Sequence, residues 1–375
     1  MVSSRVALYV GGLLGPFGGG IVAAMLPELG ADYAVSPGIA ASSTTAYLLP
    51  FALVMLVSGS LGERWGSSRT IRTAYIGYAV VAVLGAVAPW FWLFQVTRVL
   101  QGVANAFTTP LLLAKIAAGT PKERLGRAMG TYGAMQAIGQ TTAPLVGGIA
   151  AESAWQLAFI GVAVVAAVLA VSPLPPDSES TGERNPGALR DAWTPIVLLS
   201  GGIAGVAWMC SAGLPFLVSF RLDDAFALSP GARGLALTAY GIAGVLAARL
   251  TGGAVDRFGV RAALITGVLG AAIAVATIGL VDLLPVVVLA WALAGVCGQL
   301  ILVAVHSTVL GGTGGGGAIS VVTAWRFLGM SASPAVFTGL YRQDAGLGFG
   351  LAGLLLALLI PVVSIWWPRT RRAAA

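Results

Sequence analysis

Gly59-Ser60-Leu61-Gly62-Glu63-Arg64-Trp65-Gly66-Ser67-Ser68-Arg69 is a short, charged, glycine-punctuated stretch between two long apolar runs. The second half of the chain carries the same pattern as Gly252-Gly253-Ala254-Val255-Asp256-Arg257-Phe258-Gly259-Val260-Arg261. In each copy a glycine stands four residues before an acid, an arginine follows the acid, a glycine comes two residues later and a further arginine closes the turn. A second pair repeats at nearly the same interval. Glu63 and Asp256 stand 193 residues apart, and Gly139 with Pro144 returns as Gly329 with Pro334 at an offset of 190. Two unrelated patterns sharing one interval read as a duplication of a single unit.

Composition decides the solvent of that unit. Of 375 residues, 57% are hydrophobic and only 9% charged, with a mean hydropathy of +0.90. That is too little polar material to coat a soluble globule, so the chain reads as an integral membrane protein. A spanning helix needs roughly 20 mostly apolar residues. Runs of that kind lie near 6–28, 38–61, 70–88, 91–114, 128–150 and 156–172, then 194–220, 231–254, 262–281, 284–305, 318–340 and 347–367. The expectation is an all-α protein of about twelve transmembrane helices in two six-helix bundles, 1–172 and 193–375, joined by a cytoplasmic linker at 173–192. The Gly, Ala and Pro content suits packed helices rather than a barrel. A cleaved secretory signal over Met1 to Met25 is the competing reading of the first run, and its removal would break the six-plus-six symmetry.

Charge placement gives an orientation. With the N-terminus inside, sixteen Lys and Arg residues fall on the inner side and three, Arg221, Arg233 and Arg342, on the outer, while Arg98 and Arg326 lie within spans. The positive-inside bias places both termini and both copies of the turn in the cytoplasm, in what composition suggests is a bacterial cytoplasmic (inner) membrane. The formal charge of +7 then reflects topology and gives no reason to expect nucleic acid as a partner. Pro173, Pro175, Pro176, Asp177 and the residues to Asp191 read as a flexible linker. His306 to Gly317 reads as an inner loop. Its glycines lack the Gly-Lys-Ser/Thr ending and preceding strand of a phosphate cradle. Cys210 and Cys297 sit in apolar runs as packing residues, and no metal site is expected.

These residues carry a resemblance. The opening turn resembles the signature loop of the major facilitator superfamily, which joins the second and third helices and is echoed between the eighth and ninth. Arg98-Val99-Leu100-Gln101-Gly102 is similar to that superfamily's second motif, and Gly139-Gln140-Thr141-Thr142-Ala143-Pro144-Leu145-Val146-Gly147-Gly148 resembles the antiporter motif of its twelve-helix drug/proton branch. Glu63 in place of the usual aspartate, Ala143 in place of a glycine and Gln156 after Trp155 in place of an arginine depart from the pattern. The resemblance implies two bundles related by a pseudo-two-fold axis along the membrane normal and alternating access to a central site.

Roles follow as expectations. Glu63 with Arg64 and Arg69, and Asp256 with Arg257 and Arg261, act as state-dependent inner latches or, alternatively, as ordinary loops. Gly59 and Gly252 leave room for a neighbouring helix, and Gly66 and Gly259 supply the turn. Gly139, Pro144, Gly147 and Gly148 seal or bend the fifth helix, or only kink it, while Pro334, Pro110 and Pro215 read as plain kinks. Arg98, grouped with Gln101, Gly102 and Asn105, tunes a proton site, holds an anionic group, or is a structural arginine bonded to helix carbonyls. Arg326 is a snorkelling or ligand-binding cation. No acid lies at mid-membrane, which leaves Glu28 as the nearest candidate proton site, and His306 reads as a helix-end residue. The first, fourth, seventh and tenth spans line the cavity in the resembled fold, which offers Tyr9, Phe17, Asn105, Phe107, Thr108, Trp208, Met209, Phe216, Trp291 and Gln299.

The function expected is a monomeric secondary active transporter, not an enzyme, exporting a lipophilic small molecule through the lipid bilayer against inward proton flow, with no cofactor beyond the proton gradient. Moving one charge through 100 mV releases about 2.3 kcal/mol and a tenfold gradient costs about 1.4, so one proton sustains a gradient of a few tens-fold. The alternatives are an importer or facilitator of an anionic metabolite anchored by Arg98, and a non-transporting receptor on the same scaffold. No metalloprotease, serine-hydrolase or dinucleotide signature is present.

Overall fold

The computed structural model describes residues 4–177, 193–310 and 315–367, and among these every regular element is helical. Seven stretches are long and apolar enough to cross a bilayer. The other passes are shorter or carry more polar and small residues.

The first expected span is broken. Helix α1 (Ser4–Gly20) ends in Gly18-Gly19-Gly20, a 3-10 turn follows at Ala23–Met25, and α2 (Leu26–Asp32) restarts with Pro27 in its first turn. Three glycines lose the most backbone entropy in a helix, and a proline at its start is pre-set for helical φ, so the break has a local cause. The next passes are α3 (Pro37–Arg64), capped by Ser36 accepting from the Ile39 amide at 3.3 Å, then α4 (Ser67–Ala86), α5 (Phe91–Ala118), α6 (Lys122–Ala151) and α7 (Gln156–Val171).

The seventh expected span is broken in the same way. Helix α8 (Pro195–Met209) stops, the Gly213 amide donates to the Trp208 carbonyl at 2.7 Å, and α9 (Pro215–Phe226) restarts at a proline. Pro215 therefore opens a helix, contrary to the expected kink. Helices α10 (Pro230–Phe258), α11 (Val260–Leu280), α12 (Leu284–Leu310), α13 (Gly315–Tyr341) and α14 (Ala345–Trp366) complete the chain. Counting each broken span once gives twelve passes among the described residues. The loop expected at His306–Gly317 is mostly helix: α12 runs through His306 to Leu310 and α13 starts at Gly315, with 311–314 outside the described residues.

By contact the chain forms two units, Met1–Arg184 with Leu222–Thr238, and Asn185–Arg221 with Ala239–Ala375. Three helix pairings recur in both. In the first unit α1 packs on α6, α4 on α5 and α4 on α7; in the second, α8 packs on α13, α11 on α12 and α11 on α14. The duplication extends to single contacts. A methyl group on Gly102 would collide with the Tyr47 carbonyl oxygen, and one on Gly295 with that of Tyr240. Both the glycines and the tyrosines are 193 residues apart. Lipid tails are as apolar as leucine, so van der Waals contact between closely approaching backbones holds such helices together.

Candidate functional site

The signature turn is built as the glycines demand. Gly66 has φ 91° and Gly259 φ 83°, values that strain any residue with a Cβ, and each lets a long helix end and the next begin within one or two residues. Glu63, Arg64 and Arg69 are exposed, as are Asp256 and Arg257. Among the described residues neither Glu63 nor Asp256 is in an ion pair. Gly59 packs against Pro110 of α5, whereas Gly252 faces open space. Arg257 stacks on Phe258 at 5.2 Å, and Arg261 donates to the Ser364 carbonyl of α14.

A different acid occupies the first turn. Asp177 accepts from the Ser68 amide at 3.0 Å and the Ser68 hydroxyl at 2.7 Å, capping the start of α4, and pairs with Lys115 at 2.7 Å. Lys115 also donates to the Pro175 carbonyl at 2.8 Å. Burial pushes the Asp177 carboxyl up, but Lys115 and the two Ser68 donors outweigh it and hold it below the usual carboxylate value. The beginning of the expected flexible linker is thus docked on α4 and α5; 178–192 lie outside the described residues.

Arg98 is fully buried on α5. Its guanidinium donates to Gln101 Oε1 at 2.7 Å, to the Gly18 carbonyl at 2.8 Å and to the Ser43 carbonyl at 3.4 Å, and it lies 4.5 Å over the Tyr47 ring. The broken first span explains one acceptor, since a carbonyl in the last turn of a helix has no amide four residues on. Asn105 extends the chain of bonds, donating to the Tyr47 hydroxyl at 2.7 Å and accepting from Thr108 at 2.8 Å. Among the described residues no carboxylate pairs with Arg98. Of the roles open to it, this geometry is that of an arginine bonded to helix carbonyls.

Elsewhere in the same unit, beside the break in the first span, stands a cluster that sequence reading missed. Arg233, expected on the outer side, is 1% exposed. It pairs with Glu28 and, at 2.5 Å, with Asp223, and donates to the Ala24 carbonyl at 3.2 Å. Glu28, the candidate proton site, is therefore held by an arginine 205 residues away. The antiporter-like motif lies beside it on α6. Methyl groups on Gly139 and Gly147 would strike the Leu13 and Ile21 carbonyls of the first span, and one on Gly148 the Pro230 carbonyl; the Pro144 carbonyl faces Gly234. Glu152 accepts from the Gly231 amide at 2.8 Å, and the Ser229 hydroxyl and that amide lower its pKa. Trp155 donates to Asp32 at 2.6 Å. The only sequence signal for Arg233 was its place among Asp223, Asp224 and a Pro-Gly helix start.

The remaining candidates separate. Tyr9, Phe17 and Gln299 are half-buried. Phe216 packs on Phe220, and Trp291, 1% exposed, on Tyr240 at 4.7 Å, so both are core. Phe107 stacks on Trp65 in a groove of about 740 Å³ that Arg64, Arg69 and Leu100 also line, between α3, α4 and α5. In the second unit Arg326 lies 4.2 Å over the buried Trp208 ring.

Duplicated helical units with two interrupted spans in corresponding positions and buried intramembrane arginines define a multi-pass membrane protein of transporter architecture. The Major Facilitator Superfamily profile matches residues 8–223, more than half of the chain, and the chain belongs to that superfamily. A multidrug resistance protein B homolog of Mycobacterium tuberculosis is 29% identical over 217 residues, 56% of this chain and 38% of the relative. The tetracenomycin C resistance and export protein of Streptomyces glaucescens is 26% identical over 209 residues, 54% and 38% of the two chains. The chain thus matches well under half the length of these relatives. The xylose transporter XylE from E. coli shares the fold with a TM-score of 0.76 at 15% identity, covering 98% of this chain and 99% of that one. A bacterial homolog of the human lysosomal transporter Spinster gives 0.74 at 16%, covering 96% and 94%.

Proposed function

We propose that the protein is a secondary active exporter that moves a lipophilic small molecule out of a bacterial cell in exchange for protons, by alternating access of the two halves 1–172 and 193–375 about the linker 173–192. The observation that carries this reading is the seam between α6 and the first span, where Gly139 and Gly147 of the antiporter-like motif meet the Leu13 and Ile21 carbonyls without intervening side chains. Such a seam keeps a broken helix in register with its neighbour while the ends of the chain move. Relatives named for multidrug resistance and for tetracenomycin C export support the direction. The protein works as a monomer in the cytoplasmic membrane with both termini inside, and the proton gradient is its energy source.

Glu28 supplies the proton site in this scheme. It is a carboxylate near the end of the broken span whose partner, Arg233, sits on α10. Protonation would weaken that pair and free the segment around Arg233. The exposed acids Glu63 and Asp256 serve as latches in the other arrangement, where each finds an arginine or a helix start. Cells producing the protein should accumulate less of a lipophilic fluorescent compound than cells without it, and a protonophore should abolish the difference. Equal accumulation in the two strains would remove the export claim, and a difference indifferent to the protonophore would remove the coupling.

A further inference from the structure

Arg326 stands eleven residues into α13 from Gly315 and fifteen short of Tyr341. At about 1.5 Å per residue this puts it near mid-span. An arginine keeps its charge there, and every N–H of its fork seeks an acceptor. Arg98 finds three acceptors in its own unit, two of them backbone carbonyls. Arg326 finds none. Among the described residues it makes no ion pair, and its buried Nε has no hydrogen-bond partner. Its guanidinium lies over the Trp208 ring, and Tyr240 and His306 are within electrostatic range. Among the described residues the Nε2 atom of His306 is also buried without a hydrogen-bond partner.

Neutralisation from the described residues of the unit is not at hand. Its described acids are Asp256 in the exposed turn, Asp282 paired with Arg221, and Asp344 capping α14 through the Leu347 amide. All three lie at helix ends. A second observation marks the same place. Trp208 is the penultimate residue of α8, beside the break at Cys210–Leu214, and the first unit is interrupted at the corresponding position. Paired interruptions of this kind mark substrate sites near the midplane of transporters.

We propose that Arg326, seated on Trp208, is the recognition point for an acidic group on the transported compound, and that the substrates are lipophilic monoanions such as aromatic carboxylates. The carboxylate occupies the unsatisfied edge of the guanidinium, a charge-assisted and potentially bidentate contact. The Trp208 ring holds the guanidinium plane by cation–π contact. This rests on the reading of the chain as a transporter of lipophilic compounds, and it moves the anion anchor from Arg98 to Arg326.

The test is equilibrium binding of 2-naphthoate and its neutral isostere 2-naphthamide to the purified full chain in detergent, followed by calorimetry. The wild type should bind the carboxylate at least about tenfold tighter than the amide. Arg326→Gln should abolish that preference, Arg326→Lys should retain part of it, and Trp208→Phe should reduce it. A wild type without preference for the carboxylate would overturn the proposal, as would a preference that survives in Arg326→Gln. Should Arg326→Gln not yield folded protein, an unchanged preference in both Arg326→Lys and Trp208→Phe would overturn it equally. Binding needs no gradient, so a failure of proton coupling leaves this result standing, and gradient-driven export of neutral compounds alone would sink only the anion site.

Discussion

Arg98 and Asp177 show how single side chains finish what helices leave open. The first satisfies a carbonyl in the last turn of α1, the second the opening amides of α4. Arg98→Lys keeps the charge but cannot span three acceptors and stack on Tyr47 with one planar fork. It should destabilise the purified protein by about 1–3 kcal/mol, the cost of leaving a buried polar group unsatisfied. An unchanged thermal unfolding temperature would mean that these bonds contribute nothing. Asp177 has a folded-state pKa below its unfolded value, so its contribution is complete above the unfolded pKa and is lost as pH falls through the folded one. Below about pH 4, near the unperturbed value, wild-type stability should fall more steeply than that of Asp177→Asn. Parallel pH profiles would contradict the cap. Neither partner was legible beforehand. Asp177 looked like linker because its neighbours are prolines, and the Gly18 carbonyl becomes an acceptor only where the helix ends.

Among the elements, the closest seams are those where backbone meets backbone. Gly102 on α5 and Gly295 on α12 face the Tyr47 and Tyr240 carbonyls in equivalent contacts. Gly102→Val and Gly295→Val should each lower thermal stability by about 1–3 kcal/mol through overpacking, whereas Gly77→Val, where nothing lies within 4 Å, should have little effect. Equal behaviour of all three variants would contradict the seam. Helix count, approximate bounds and duplication were legible, because apolar length and glycine spacing are local properties of the chain. The two interruptions were not. A run such as 6–28 is apolar up to Glu28, and hydropathy does not register that three glycines and a proline divide it. The Arg233 cluster was hidden for another reason: its partners are 10 and 205 residues away, and pairing at such separations is set by packing.

For the molecule as a whole, the account requires two arrangements of the same helices close in free energy, with protons and substrate tipping the balance. Glu63 and Asp256 of the two turns are exposed and in no ion pair among the described residues, and in the proposed scheme they find their partners in the other arrangement. Glu63→Gln and Asp256→Asn should therefore impair transport severalfold while leaving purified protein folded, and full activity in both would reduce the turns to loops. Breaking the Glu28–Arg233 pair by Glu28→Gln should remove the dependence of transport on the pH gradient. The central claim is tested most directly by the purified protein in proteoliposomes, with movement of a lipophilic aromatic carboxylate followed under an imposed pH gradient. Accumulation that rises with the gradient and collapses when a protonophore is added is the predicted result; movement indifferent to the gradient would contradict it.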